Sequence, residues 1–451
     1  MTGKMPLSTG NKNLGSTSFF SVSILPWIIC GLAAAFYCYE YLLRITPGLM
    51  VPELQRAFSV HGQYLDATSI GQLSAFYYYS YTPMQLPVGL FMDRYGPRRI
   101  LTLAVICCAL GTAFFGMTHS WWIAAFGRFW IGFGSAFAFV GVMKLASTWL
   151  PANRFALVSG LATTLGMVGA MIGGVLLTDL ILNMGWRETI IYSSYAGFIL
   201  VPVIWFVVRD APSHRIAEGK SLPKVSLDYK ELWYEIRSSL KNPQIWINGV
   251  IGGLLMTPTM VFPELWGKLY LQTVHQFTAA EASLSVTMIF LGWAVGGPLA
   301  GFISDYLGRR KMPLVIGTFL TTMLLLMFLY FPGLSPLAIK IALFFIGVVS
   351  SVEVICFAIG RENCPSNIAG TAVAVTNFLV VSFAFVQIIV AKILDMTWDG
   401  VLLDQAKVYS VESYQTSMMV LPIATLLALL LCFFLKETYC RPMDFLDSDR
   451  K

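Results

Sequence analysis

Glu40 and Arg44 stand four residues apart inside one apolar stretch, which puts them on one helix face with the acid N-terminal to the base, the favourable order. Glu264 and Lys268 repeat that spacing in a stretch broken by Pro258 and Pro263, where proline kinks a helix. Arg128 and Lys144 lie in other apolar stretches, and Glu353 lies in one with no cation at i±3 or i±4. An ionisable side chain in hydrocarbon costs at least ~2.5 kcal/mol, so such groups turn toward a cavity or toward one another. These residue types can hold an anion and carry a proton.

Each residue has a plainer reading beside the functional one. Glu40 and Arg44 are either a self-neutralising pair or a proton carrier beside an anion-binding guanidinium. Arg128 is a coupling residue or an interfacial anchor. Glu264 and Lys268 form an i, i+4 pair that serves as a gate or as part of a substrate site. Glu353 precedes Pro365 by 12 residues, about 18 Å of helix rise, which places it near mid-membrane. It is a proton site there, or a neutral acid hydrogen-bonded between helices. Tyr77 and Tyr81, with Tyr78 and Tyr79 beside them, are too deep for an interfacial aromatic belt and line a cavity or pack. Asn377, at similar depth, bonds a solute or a neighbouring helix.

The elements that position these groups are membrane spans. Of 451 residues, 57% are hydrophobic and 12% charged, against roughly 25% charged in soluble domains. Apolar runs near the ~20 residues needed to cross hydrocarbon recur along the whole chain. Hydropathy places spans at 24–50, 67–91, 100–117, 122–149, 155–182, 189–208, 244–272, 282–303, 313–331, 337–359, 368–391 and 414–435. An all-α membrane protein with twelve transmembrane helices is therefore expected. Its parts would be a polar leader over 1–20, a six-helix bundle over 21–209, a linker over 210–243, a second bundle over 244–435 and a tail over 436–451. The first run is too long for a secretory h-region and lacks a cleavage site, so it is read as a retained helix.

Of the 30 Lys and Arg, 21 fall in the termini and even-numbered connections and five in the odd-numbered ones or, for Lys340, at their edge. The positive-inside rule then sets both termini in the cytoplasm. Together with short outward loops and the absence of glycosylation sequons, this suggests a bacterial inner membrane. The net charge of +6 is accounted for by those connections, and no nucleic-acid partner is expected. Eight cysteines lie in spans or on the basic side without CxxC spacing, and the four histidines lie in loops or at span ends. Neither a disulfide framework, a metal site nor a cofactor is indicated. No HExxH, GxSxG or phosphate-cradling motif points to an enzyme.

The two halves repeat. GLFMDRYGPRR from Gly89 to Arg99 is answered 212 residues later by GFISDYLGRRK from Gly301 to Lys311, and Pro151-Ala152-Asn153 by Pro365-Ser366-Asn367. An internal duplication explains both. At these residues the sequence resembles the major facilitator superfamily (MFS), over all twelve spans. The resemblance implies the MFS fold of two pseudo-symmetric six-helix bundles. It also implies gating by Gly89, Asp93, Arg94, Gly96 and Arg98 in one loop and Gly301, Asp305, Gly308 and Arg309 in the other. The two glycines would allow close helix approach, and the charged residues would latch the halves together.

Further matches refine this. Arg128-Phe-Trp-Ile-Gly132-Phe-Gly134 matches the family's fourth-span pattern. Leu165 to Gly174 is similar to the antiporter signature, with Ala170 where proline is expected, which leans toward symport or uniport. Tyr41-Leu42-Leu43-Arg44 and Lys144 to Arg154 resemble the organophosphate and organic-anion branches, where the first-span arginine holds the substrate's anionic group. Those phosphate exchangers have a second arginine in the seventh span, where this chain has Met260. That departure favours a small carboxylate, such as an organic acid, amino acid or short peptide.

The expected function is proton-coupled symport of such a solute by alternating access, from a monomer in the bilayer. Arg44, Lys144, Tyr77, Tyr81 and Asn377 would contact substrate, and Glu353, Glu40 and Arg128 would serve coupling. The alternative is an uncoupled facilitator or a proton-driven efflux pump.

Overall fold

The computed structural model describes residues 24–60, 63–151, 154–211, 229–331, 333–365, 368–403 and 406–441. The leader, most of the linker, the end of the tail, and Ala152, Asn153, Ser366 and Asn367 of the repeated tripeptides lie outside them. Among the described residues, eleven helices are long and apolar enough to cross a membrane: Ile24–Leu49, Pro97–Met117, Trp121–Trp149, Leu157–Met184, Trp186–Val207, Pro243–Val274, Ala279–Leu307, Lys311–Tyr330, Pro336–Glu362, Ala369–Met396 and Val411–Cys432. The twelfth, second in chain order, is Ala67–Met84, which continues past Pro87 as Val88–Tyr95. Its polar hydroxyls and tyrosines lower its hydropathy, and Asp66 caps it by accepting from the Ser69 amide at 2.8 Å.

Packing repeats between the halves. The first span packs on the fifth, the second on the fourth, and the third on the fourth and sixth; the seventh packs on the eleventh, the eighth on the tenth, and the ninth on the tenth and twelfth. The halves meet along three seams: second on eleventh, fifth on eighth, and first on seventh.

The basic loops use one device twice. After the sixth span, Asp210 accepts from the amide of Arg98 at 2.8 Å. After the twelfth, Glu437 accepts from the amides of Arg310 at 2.7 Å and Lys311 at 3.0 Å. Each acid meets the unsatisfied N–H groups that open the third helix of its half. Gly96 and Gly308 stand at the preceding turns with φ of +81° and +62°, backbone that glycine adopts without strain.

The halves touch at one face and part at the other. Far from the basic loops, a Cβ on Gly48 would lie 2.3 Å from the Glu264 carbonyl oxygen, one on Gly71 would meet Ala391, and one on Gly174 would meet Thr287. At the basic face no described atom lies within 4 Å of a Cβ built on Gly89, Gly160, Gly301 or Gly370. The close helix approach expected at Gly89 and Gly301 is therefore not made here. For Gly89 the physical reason is that the seam between second and eleventh spans ends a turn earlier, where Asn377 donates to Gln85 at 2.8 Å.

Candidate functional site

Pro47 sets the site. Lacking an N–H, it cannot bond the Leu43 carbonyl one turn back, and that oxygen sits in the membrane interior where an unpaired carbonyl is costly. Arg128 of the fourth span donates to Leu43 O at 2.8 Å and to Arg44 O at 3.2 Å. Its guanidinium is fully buried over the Tyr77 ring, 5.1 Å from the centroid. Gly132 lets the fourth span approach this closely, because any Cβ there would collide with the Tyr77 carbonyl. Arg128 thus clamps the backbone that carries the first-span pair.

Arg44 projects from that clamped turn and is 5% exposed. It donates to Oε1 of Glu40 through Nη2 at 2.6 Å and Nε at 3.0 Å, and through Nε to the Tyr77 hydroxyl at 3.2 Å. The Tyr77 hydroxyl donates to the same Oε1. Tyr41, Tyr81 and Tyr77 surround the guanidinium with ring centroids at 4.3, 5.0 and 5.5 Å, distances at which each π-face attracts the cation. Tyr77 and Tyr81 stack at 5.4 Å. Glu40 is fully buried, and its Oε2 has no partner among the described residues. A cation caged in tyrosines, holding an acid by one oxygen only, can exchange that acid for a solute carboxylate.

The opposing half reaches this cluster through Glu264, which accepts from the Tyr78 hydroxyl across the seam. The expected Glu264–Lys268 pair is not formed. Phe262–Trp266 is a π-helical turn, and its extra residue per turn swings the two side chains out of the i, i+4 register of an α-helix. Lys268 donates instead to Leu49 O at 2.6 Å. Both members of the anticipated pair tie the seventh span to the first half.

Other sequence-derived candidates stand apart. Lys144 binds Asp93 of the repeated loop at 2.5 Å, so its ammonium is directed to the basic face and away from Arg44. Asp305 pairs with Arg310 at 2.6 Å, and Arg310 with Glu362 at 2.8 Å. These loop charges therefore close within each half. Arg310, and not Arg309, is the counterpart of Arg98 at the 212-residue offset. Burial disfavours its charged form, but the carboxylates of Glu362 and Asp305 outweigh that and raise its pKa above the usual arginine value. Arg94 is exposed beside Tyr95. Glu353 is buried on a 3-10 turn, Ser351–Val354, packed among the seventh, eighth and ninth spans, with Oε1 unpartnered. It sits inside the second bundle and not on a seam.

Sequence reading missed Tyr41 and Tyr78 as contacts, and it missed Asp395. The Asp395 carboxylate, at the end of the eleventh span, accepts from the Ala67 and Thr68 amides, the Thr68 hydroxyl, Tyr409 and Lys407. A helix N-terminus of one half is thereby capped by an acid of the other. The one signal for it was an acid beside Lys392 in an outward connection.

Comparison with known proteins agrees with this architecture. The sequence profile of the Major Facilitator Superfamily matches residues 29–387. A probable L-galactonate transporter of Escherichia coli is 26% identical over 269 residues, covering 56% of this chain and 59% of that one. A probable galactarate/D-glucarate transporter, GudP, of the same organism is 22% identical over 340 residues, covering 68% and 74%. Among solved structures, a bacterial homolog of the human lysosomal transporter Spinster, inward-facing and unoccupied, superposes with a TM-score of 0.71 at 13% identity, covering 92% and 97%.

Proposed function

The chain belongs to the Major Facilitator Superfamily, and we propose that it carries a small hydroxylated carboxylate into the cell by proton-coupled alternating access. It is a multi-pass membrane transporter and not an enzyme. The observation that carries the substrate reading is Arg44, a buried guanidinium caged by Tyr41, Tyr77 and Tyr81 and held by one oxygen of Glu40. A planar fork of N–H donors matches a carboxylate in two-point contact. The relatives named for L-galactonate and for galactarate and D-glucarate support polyhydroxy acids as the class, with tyrosine hydroxyls to receive the hydroxylated carbons.

Coupling follows from Glu40. While Glu40 is ionised it occupies Arg44; once it takes a proton, Arg44 is released to the incoming carboxylate. The basic face is the cytoplasmic side of a bacterial inner membrane in this reading, and the monomer is open toward it. The loop charges are then the parted halves of an inner latch.

The test is uptake of labelled galactonate and glucarate into proteoliposomes under an inward proton gradient. Accumulation that a protonophore abolishes, with counterflow retained, is the expected result. Accumulation indifferent to the gradient would remove proton coupling and leave a facilitator.

A further inference from the structure

We propose that the membrane-facing side of the first half carries a binding site for one anionic phospholipid, with its phosphate on Arg99 and an acyl chain in the groove beneath. The groove has a volume of about 340 Å³ and is walled by Phe91 and Tyr95 of the second span, Ile100 and Leu103 of the third, and Phe133 and Phe137 of the fourth. That volume lies at the lower end of roughly 300–1,000 Å³ for small-molecule sites. The groove's walls are almost wholly apolar, and aromatic contacts hold them in place: Phe91 stacks on Tyr95 at 6.3 Å and packs on Phe137 at 6.4 Å, and Phe133 meets Phe137 at 5.6 Å.

Its surroundings fix the occupant. Leu103, Leu110, Phe114 and Met117 form an exposed apolar stripe along the third span, the surface that faces hydrocarbon, so a hydrocarbon chain and not water fills the groove. Arg99, two residues into the third helix, stands at its basic-face end, where headgroups lie.

Comparison of the two halves separates this site from a generic lipid-facing surface. Arg99 corresponds to Lys311 at the 212-residue offset. Lys311 is spent on the Phe433 and Leu435 carbonyls, each at 2.9 Å. Arg98, beside Arg99, is spent on the Trp205 carbonyl and ring. Arg99 itself makes no hydrogen bond or ion pair among the described residues. The aromatic pair that the second span gives to the wall is also confined to the first half, since Phe91 and Tyr95 correspond to Ile303 and Leu307. A guanidinium binds phosphate through paired N–H donors, and here it has no competing carboxylate among the described residues.

The experiment is native mass spectrometry of the detergent-purified full chain titrated with phosphatidylglycerol or phosphatidylcholine of equal chain length. Wild type should retain one phosphatidylglycerol with a preference of about fivefold, which is what one basic side chain contributes at an anionic surface. Arg99→Gln should bring the preference close to unity, and Leu103→Trp, which fills the groove from its exposed edge, should reduce retention of both lipids. Arg309→Gln, an exposed charge in the other half, should change neither. Equal preference in wild type and Arg99→Gln, or equal loss in Arg309→Gln, would overturn the site.

Discussion

Asp395 of the second half and Thr68 of the first are joined across the seam at the far face, with amide-to-Oδ2 and hydroxyl-to-Oδ2 distances of 2.7 and 2.6 Å. The Ala67 amide, the Tyr409 hydroxyl and the Lys407 ammonium converge on Oδ1 of the same carboxylate. For the halves to part at this face, the start of the second span must leave this acid. Asp395→Asn keeps the shape and one acceptor oxygen but loses the charge that strengthens each bond. A weakening of about 1–2 kcal/mol moves the balance roughly 5–30-fold toward the state open at this face. Spin-label distances between loops of the two halves at this face should lengthen in the variant, and an unchanged distance distribution would remove Asp395 from the gate.

Arg44 is expected to set affinity. Arg44→Lys replaces a planar fork with a point charge and gives up stacking against Tyr41 and Tyr81. Losing one charge-assisted contact of about 1.5–3 kcal/mol should raise KM for the carboxylate roughly ten- to hundredfold. Uptake kinetics in proteoliposomes measure this directly. A KM within twofold of wild type would place the carboxylate elsewhere.

Much of this organisation was legible in the sequence, and the boundary of legibility has physical causes. Apolar length and basic loops give the spans, since hydrocarbon admits little else. Repeat spacing gives Gly96 and Gly308 at their turns, and it would have given Arg310 in place of Arg309 had the 212-residue offset been applied to Arg98. Contacts that depend on backbone phase were not legible. The π turn at Phe262–Trp266 dissolves a Glu264–Lys268 pair that ideal α-helical spacing requires. Contacts across seams were not legible either, because Asp395 and Thr68 are 327 residues apart and no local pattern links them. Lys144 shows a third limit: its place in an apolar stretch was readable, but the direction of its side chain toward Asp93 was not.

Arg128 is expected to act through the backbone. Arg128→Leu removes the guanidinium bonds to the Leu43 and Arg44 carbonyls, and with them the clamp on the turn that aims Arg44, leaving the Thr46 hydroxyl on Leu43 O. Losing two buried hydrogen bonds from a charged donor, at about 1.5–3 kcal/mol each, should lower thermal stability markedly. Arg128→Lys has the charge but one nitrogen in place of two, so it should recover only part of it. If Arg128→Leu unfolds at the wild-type temperature, the clamp does not hold the first span.

Glu40 and Glu353 make opposite predictions, although both are buried acids with an oxygen that has no partner. Glu40 shares its bonded oxygen with Arg44 and Tyr77, so its charge and a solute's compete for one guanidinium. Glu40→Gln fixes the neutral state, which should spare counterflow and abolish accumulation driven by a pH gradient. Glu353 packs inside the second bundle, away from the seams that must part. A lone carboxylate there costs several kcal/mol without a counter-charge, and Glu353→Gln keeps its size while removing that liability. Accumulation by Glu353→Gln should therefore stay within about twofold of wild type, with thermal stability equal or higher. Loss of gradient-driven accumulation in Glu353→Gln, with Glu40→Gln unaffected, would transfer the coupling role to the tenth span.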